Sequence, residues 1–130
     1  MKTFLWKKKN TIAVLTAFIA MFLPLKGYAE IVAYGLAIAG NKVTSANCND
    51  LSKLDGVSGK VCYDPTNKVL TLQDATINTG GNINAIYSKI DGITIKIIGT
   101  NNLKSQKAAI TLMTPTTITG GGVISVIAAF

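Results

Sequence analysis

The sequence predicts an all-β protein: a short N-terminal β cap over residues 30–68, then two to three coils of a right-handed parallel β-helix over residues 69–130. Three observations lead there. Thr, Asn, Gly, Ile and Val dominate the chain after residue 30, a composition that favours strands and turns over helices. Its apolar residues come in short runs of single-strand length, with Gly or Asn between them. These runs recur at a nearly fixed interval, the length of one solenoid coil whose edge the next coil must pair. An antiparallel β-sandwich of short hairpins is the alternative the same pattern allows.

Residues 1–29 read as a signal peptide. Lys2, Lys7, Lys8 and Lys9 precede an uncharged stretch from Thr11 to Leu23, Pro24 ends it, and Gly27 and Ala29 provide small residues for cleavage after Ala29. As a helix the uncharged stretch reaches about 20 Å against about 30 Å of hydrocarbon, so a membrane anchor is not expected. Export to the periplasm, cell surface or medium follows.

The charge must then be read without the signal. The chain has 13 lysines, no arginine and no histidine against six acidic residues, a formal +7. Five lysines fall within residues 1–29, which leaves eight against six. Those eight are spread singly, whereas a phosphate-binding surface clusters them, so no nucleic-acid partner is expected.

Residues 30–68 lack the repeat and are assigned to the cap. In Asp64-Pro65-Thr66-Asn67, Asp and Pro occupy turn-forming positions, so Val61-Cys62-Tyr63 and Val69-Leu70-Thr71-Leu72 should pair as hairpin arms. Beyond it, Leu70-Thr71-Leu72 aligns with Ile93-Thr94-Ile95 at an offset of 23, and Ala85-Ile86 with Ala109-Ile110 at 24. Ile93-Thr94-Ile95 aligns with Thr117-Ile118-Thr119 at 24. Gly80-Gly81, Asp91-Gly92, Gly99 and Gly120-Gly121-Gly122 are expected at corners, where positive φ or close backbone approach is needed.

Taken together, Tyr34-Gly35-Leu36, Val43-Thr44-Ser45, the stretch from Asp64 to Leu72, Ala75-Thr76-Ile77 and Thr119-Gly120-Gly121-Gly122 resemble the secreted carbohydrate-binding domain-containing β-helix proteins of Bacteroidetes-type bacteria. The resemblance implies export, a parallel β-helix, and binding of polysaccharide, acidic polysaccharide and calcium included. It also implies further coils, so this chain is expected to be a truncated relative of a longer protein. The alternative is a structural or adhesive surface protein, with the uncapped C-terminal coil pairing with another copy or another protein.

Candidate sites are few. Cys48 and Cys62, both in the exported part, are expected to form a disulfide closing a loop of about 15 residues, for about 3 kcal/mol of stability. Asp50, Asp64 and Asp91 are explained by turns. Asp74, beside the Asn-rich stretch holding Asn78 and Asn82, is the carboxylate expected first to meet calcium or a sugar. Tyr87 is the candidate stacking platform, while Tyr34 and Tyr63 suit the cap core. Without Arg or His, and with no G-x-S-x-G elbow or phosphate loop, no catalytic activity is expected.

Overall fold

The structure, a computed structural model, describes residues 30–128; the expected signal peptide of residues 1–29 lies outside the described residues. From Ile31 onward the chain forms one compact unit. Its strands are β1 (Ala33–Ile38), β2 (Asn41–Thr44), β3 (Val57–Asp64), β4 (Val69–Asn78), β5 (Ile86–Ser88), β6 (Ile93–Ile98), β7 (Thr100–Ser105), β8 (Ile110–Leu112), β9 (Thr116–Thr119) and β10 (Val123–Ala128). A 3-10 turn at Leu51–Lys53 is capped by the Asp50 carboxylate, which accepts from the Ser52 N–H. No helix among the described residues is long and apolar enough to cross a membrane.

The strands form a four-stranded sheet, β2-β1-β5-β8, and a six-stranded sheet, β10-β7-β4-β6-β9, with β3 paired to β4. Within residues 69–128 every ladder is parallel: β4 with β6 and β7, β6 with β9, β7 with β10, and β5 with β8. Antiparallel pairing is confined to β1 with β2 and β5, and β3 with β4. A curled parallel sheet thus replaces the hairpins of a sandwich. Because β4 pairs with β6 through its first half and β7 through its second, one long strand turns a corner. The strands stack in tiers: β4 and β5, then β6 to β8, then β9 and β10.

Residues 30–68 lie along the first tier. β3 runs antiparallel to β4 from Val57 opposite Ile77 to Asp64 opposite Val69, the hairpin the sequence predicts. Its turn is tied by Asp64 Oδ1, which accepts from the Thr66 and Asn67 N–H groups at 2.9 and 3.3 Å. Side-chain donation by Asn67, with its backbone N–H, holds the Asp64 carboxyl below its ordinary range. β1 pairs with β5, so the first tier is flanked on both sheets before the repeat begins.

The expected register needs correction in two of its three alignments. Ile86 lies opposite Ile110, as expected. Leu70, however, lies opposite Ile95 rather than Ile93, and Ile93 lies opposite Thr116 rather than Thr117. A two-residue slip leaves every side chain on its own face, so alternation could not distinguish Ile93 from Ile95 as the partner of Leu70. The corner decides. Asp74 (φ +47°) and Gly99 (φ +69°) are both left-handed, and the strands must bend at the same height.

Corner chemistry is built from these residues. Gly59 (φ +83°) in β3, Asp74 in β4, Gly99 between β6 and β7, and Gly120 (φ +101°) between β9 and β10 mark the bend in successive strands. Between its two ladder segments the second tier has one residue more than the first: Gln73 faces Ile98, but Thr76 faces Asn102. Asp74 Oδ1 accepts from Thr100 N–H at 3.0 Å, so the carboxylate stands where the shorter corner lacks a backbone carbonyl. The expected corner at Gly80-Gly81 is a bend between β4 and β5, but it does not require glycine. Neither residue has a positive φ, and nothing lies within 4 Å of where their Cβ atoms would be.

Inside, Leu36, Ile38, Val43, Leu51, Leu70, Leu72, Ile77, Ile86, Ile93, Ile95 and Leu103 form a continuous apolar core. Among the polar residues buried with it, Asn101 is the largest. Asn101 accepts from Ala75 N–H at 2.9 Å and donates to the Ile98 and Val123 carbonyls at 3.0 and 3.3 Å, joining the three tiers. The Tyr63 ring is buried against Tyr34, with centroids 5.5 Å apart, as the cap-core reading expects.

Candidate functional site

The expected site residues do not gather in one place. Asp74 is committed to the corner, where its carboxylate accepts from Thr100 and crowds Gly99. Asn78 ends β4, exposed, with its backbone N–H donated to the Gly56 carbonyl at 2.8 Å. Asn82 and Tyr87 do come together, on the four-stranded sheet. Among the described residues no three Asp, Glu, Cys or His side chains cluster as metal ligands.

Cys48 and Cys62 are free thiols, so the expected disulfide is not formed in this structure. Strand alternation gives the reason. Val61 and Tyr63 face the core with Cys48, which puts the intervening Cys62 on the other side of β3. The backbones are adjacent, because the Cys48 carbonyl accepts from Tyr63 N–H at 2.8 Å; the side chains diverge. A thiol reagent is expected to label half-buried Cys62 in the native protein and Cys48 only after unfolding. Finding no free thiol before reduction would establish the disulfide instead.

Tyr87 owes its position to β5. Ile86 and Ser88 on either side are fully buried, so the ring faces outward and is half-buried. Register then sets its neighbours: Ala37 of β1 and Thr111 of β8 lie opposite Tyr87, and Lys42 of β2 lies opposite Ala37. A row therefore crosses the sheet as Lys42, Ala37, Tyr87, Thr111. Gly35 and Ala37 are too small to cover the ring, and the space beside them is a shallow cavity of about 340 Å³, also lined by Lys42 and Lys89. On its other side Tyr87 borders a second cavity of about 260 Å³, with Asn82, Asn84 and Lys107.

The loop bearing Asn82 is anchored to the next tier. Thr79 Oγ1 donates toward the Ile83 and Lys104 carbonyls at 3.0 and 3.3 Å, and Ser105 Oγ donates to Ile83 O at 2.6 Å. Asn84 donates to the Ala108 carbonyl and Thr111 Oγ1. The result is an outward aromatic ring between two recesses, with amides and three lysines around it and no carboxylate in either lining. Such a surface can stack on an apolar sugar face and hydrogen-bond its hydroxyls.

Sequence reasoning missed Lys42, Lys89, Lys107 and Ala37 as parts of this face. The alignment of Ile86 with Ile110 placed Thr111 beside Tyr87, but nothing local signalled that β1 would pair with β5. No protein-family model, curated protein or solved structure matches this chain.

Proposed function

We propose that the protein is an exported, non-catalytic carbohydrate-binding module: two to three coils of a right-handed parallel β-helix, capped by residues 30–68, that bind polysaccharide on the outer face of the four-stranded sheet. The nearly constant offset between paired strands, together with left-handed residues at a shared corner, supports the coil reading. The resemblance to secreted carbohydrate-binding β-helix proteins supports the ligand class, as an analogy of fold and motif.

A single observation carries the site: the half-buried Tyr87 ring faces outward between two recesses because its neighbour across β1 is the small Ala37. The ring is the stacking platform, and the Asn82 amide and the Lys42, Lys89 and Lys107 ammonium groups supply hydrogen bonds. Asp74 and Asn78 take no part in this reading.

Affinity electrophoresis over a panel of neutral and acidic polysaccharides tests it. Tyr87→Ala is expected to weaken retention about tenfold, equivalent to about 1.4 kcal/mol, while the unfolding midpoint stays put. Asp74→Ala should do the opposite, lowering the midpoint and leaving retention unchanged. A chelator should not alter retention, since neither recess contains a carboxylate. Retention that survives Tyr87→Ala but not Asp74→Ala would move the site to the corner and sink the reading.

A further inference from the structure

Both recesses beside Tyr87 are made by departures from a regular sheet. Ala33 pairs with Thr44 and Ala37 with Lys42, and between those pairs β1 has three residues where β2 has Val43 alone, a bulge around Gly35 (φ +81°). The stem of Lys89 lies over that glycine: a Cβ there would stand 3.1 Å from Lys89 Cγ. Just past the other end of β1, Gly40 (φ +80°) takes the Ile83 side chain, whose Cγ2 would stand 2.9 Å from an added Cβ. Each recess thus depends on a glycine that lets a neighbouring side chain approach the backbone closely.

The two recesses meet at the ring. Ala37 and Tyr87 belong to both linings, so Tyr87 stands in the middle of one trough rather than at the mouth of a pocket. Antiparallel pairing sets the direction of that trough. Gly35 and Lys89 lie toward the start of β1 and the end of β5, while Gly40 and Asn82 lie toward the end of β1 and the start of β5, so it follows these two strands. From Asn84, before β5, to Lys89, after it, the chain spans at most about 17 Å, the reach of about three sugar rings. Polar groups stand at both ends, Lys89 at one and Asn82 with Lys107 at the other.

We propose that this trough takes the interior of a linear polysaccharide, about three consecutive sugars with the middle one stacked on Tyr87 and the polymer running along β1 and β5. The inference rests on the carbohydrate-binding reading and adds to it which part of the polymer is recognised. A binder of single sugars or of chain ends needs its stacking ring beside one recess only. Here a sugar on Tyr87 has a recess on each side, so the chain continues in both directions, and the polar groups at the two ends are reached only by the units before and after it.

Competition in affinity electrophoresis, using linear oligosaccharides of one to six units cut from the retained polysaccharide, tests this. Competing strength is expected to rise about tenfold from one unit to three and to change by less than about twofold from four to six. A six-unit chain capped at both ends should compete like the uncapped one. Lys89→Ala and Lys107→Ala, at opposite ends of the trough, should each weaken six-unit binding about fivefold, whereas Lys96→Ala, on the outer face of β6, should not. A single sugar that competes as well as six units would overturn the proposal. So would a capped chain that fails to compete, or a loss confined to one of the two end lysines; in each of these cases the carbohydrate-binding reading still stands. A panel from which no polysaccharide is retained overturns both.

Discussion

Asn101→Ala is expected to lower the unfolding free energy by about 3 kcal/mol, read as a shift of the urea midpoint at unchanged slope. Asn101 is fully buried in β7, yet all three of its hydrogen bonds reach backbone groups. Truncation would leave the buried Ala75 N–H without an acceptor and remove the amide donor from the part-buried Ile98 and Val123 carbonyls. Each such orphaned group costs about 1–3 kcal/mol, more than the net worth of the bond it made. The neighbouring exposed Asn102 is the control, and Asn102→Ala should fall within about 0.5 kcal/mol of wild type.

Asn101→Asp sharpens this test through pH. A carboxylate can still accept from Ala75 but meets two carbonyl oxygens where the amide donated, so burial and repulsion both raise its folded-state pKa above the unfolded value of about 3.9. A group with a raised folded pKa favours the native state below the unfolded pKa and loses that contribution as pH rises through the folded one. The variant should therefore be less impaired at pH 4 than at pH 7. Equal losses at both would show that position 101 does not disfavour a carboxylate, against its burial beside the two carbonyls.

Gly59→Ala should be about as damaging, again by about 3 kcal/mol, for a backbone reason. At φ +83° an L-residue carries a penalty of about 1–2 kcal/mol before any contact is counted. The added Cβ would also lie 2.7 Å from Ala75 Cα and against the Asp74 carbonyl. Both are main-chain atoms of β4 and cannot swing aside, so β3 must lift from its partner where the register already shifts between Ser58 and Lys60. Gly81→Ala, with open space around its Cβ, should change stability by less than about 0.5 kcal/mol. A Gly59→Ala variant that unfolds with the wild type would mean that the corner is not held by contact between these strands.

Both predictions concern residues whose roles the sequence hid. Asn101 stands in Thr100-Asn101-Asn102, and nothing local tells the buried Asn from its exposed neighbour. Only the phase of Leu103 and Ser105 gives a hint, and that phase is visible once the strand is placed. Asp74 is legible as an unusual carboxylate but not as a corner residue. Its role depends on the second tier being one residue longer at the bend, a difference between segments about 25 residues apart in the chain.

The sequence by itself determined what rests on local chemistry and on the side-chain period. Composition and short Ile, Val and Thr runs set the all-β class, Asp64-Pro65-Thr66-Asn67 set the hairpin of β3 and β4, and the recurring Ala-Ile pair set β5 against β8. Tertiary structure decided the rest: the two-residue register of β4 on β6, the divergence of Cys48 and Cys62, and the row that brings Lys42 and Ala37 beside Tyr87. The physical reason is common to all three. Alternation fixes which face a residue occupies, but not which of several equivalent partners it meets across the ladder; corner geometry and the pairing of distant edges make that choice.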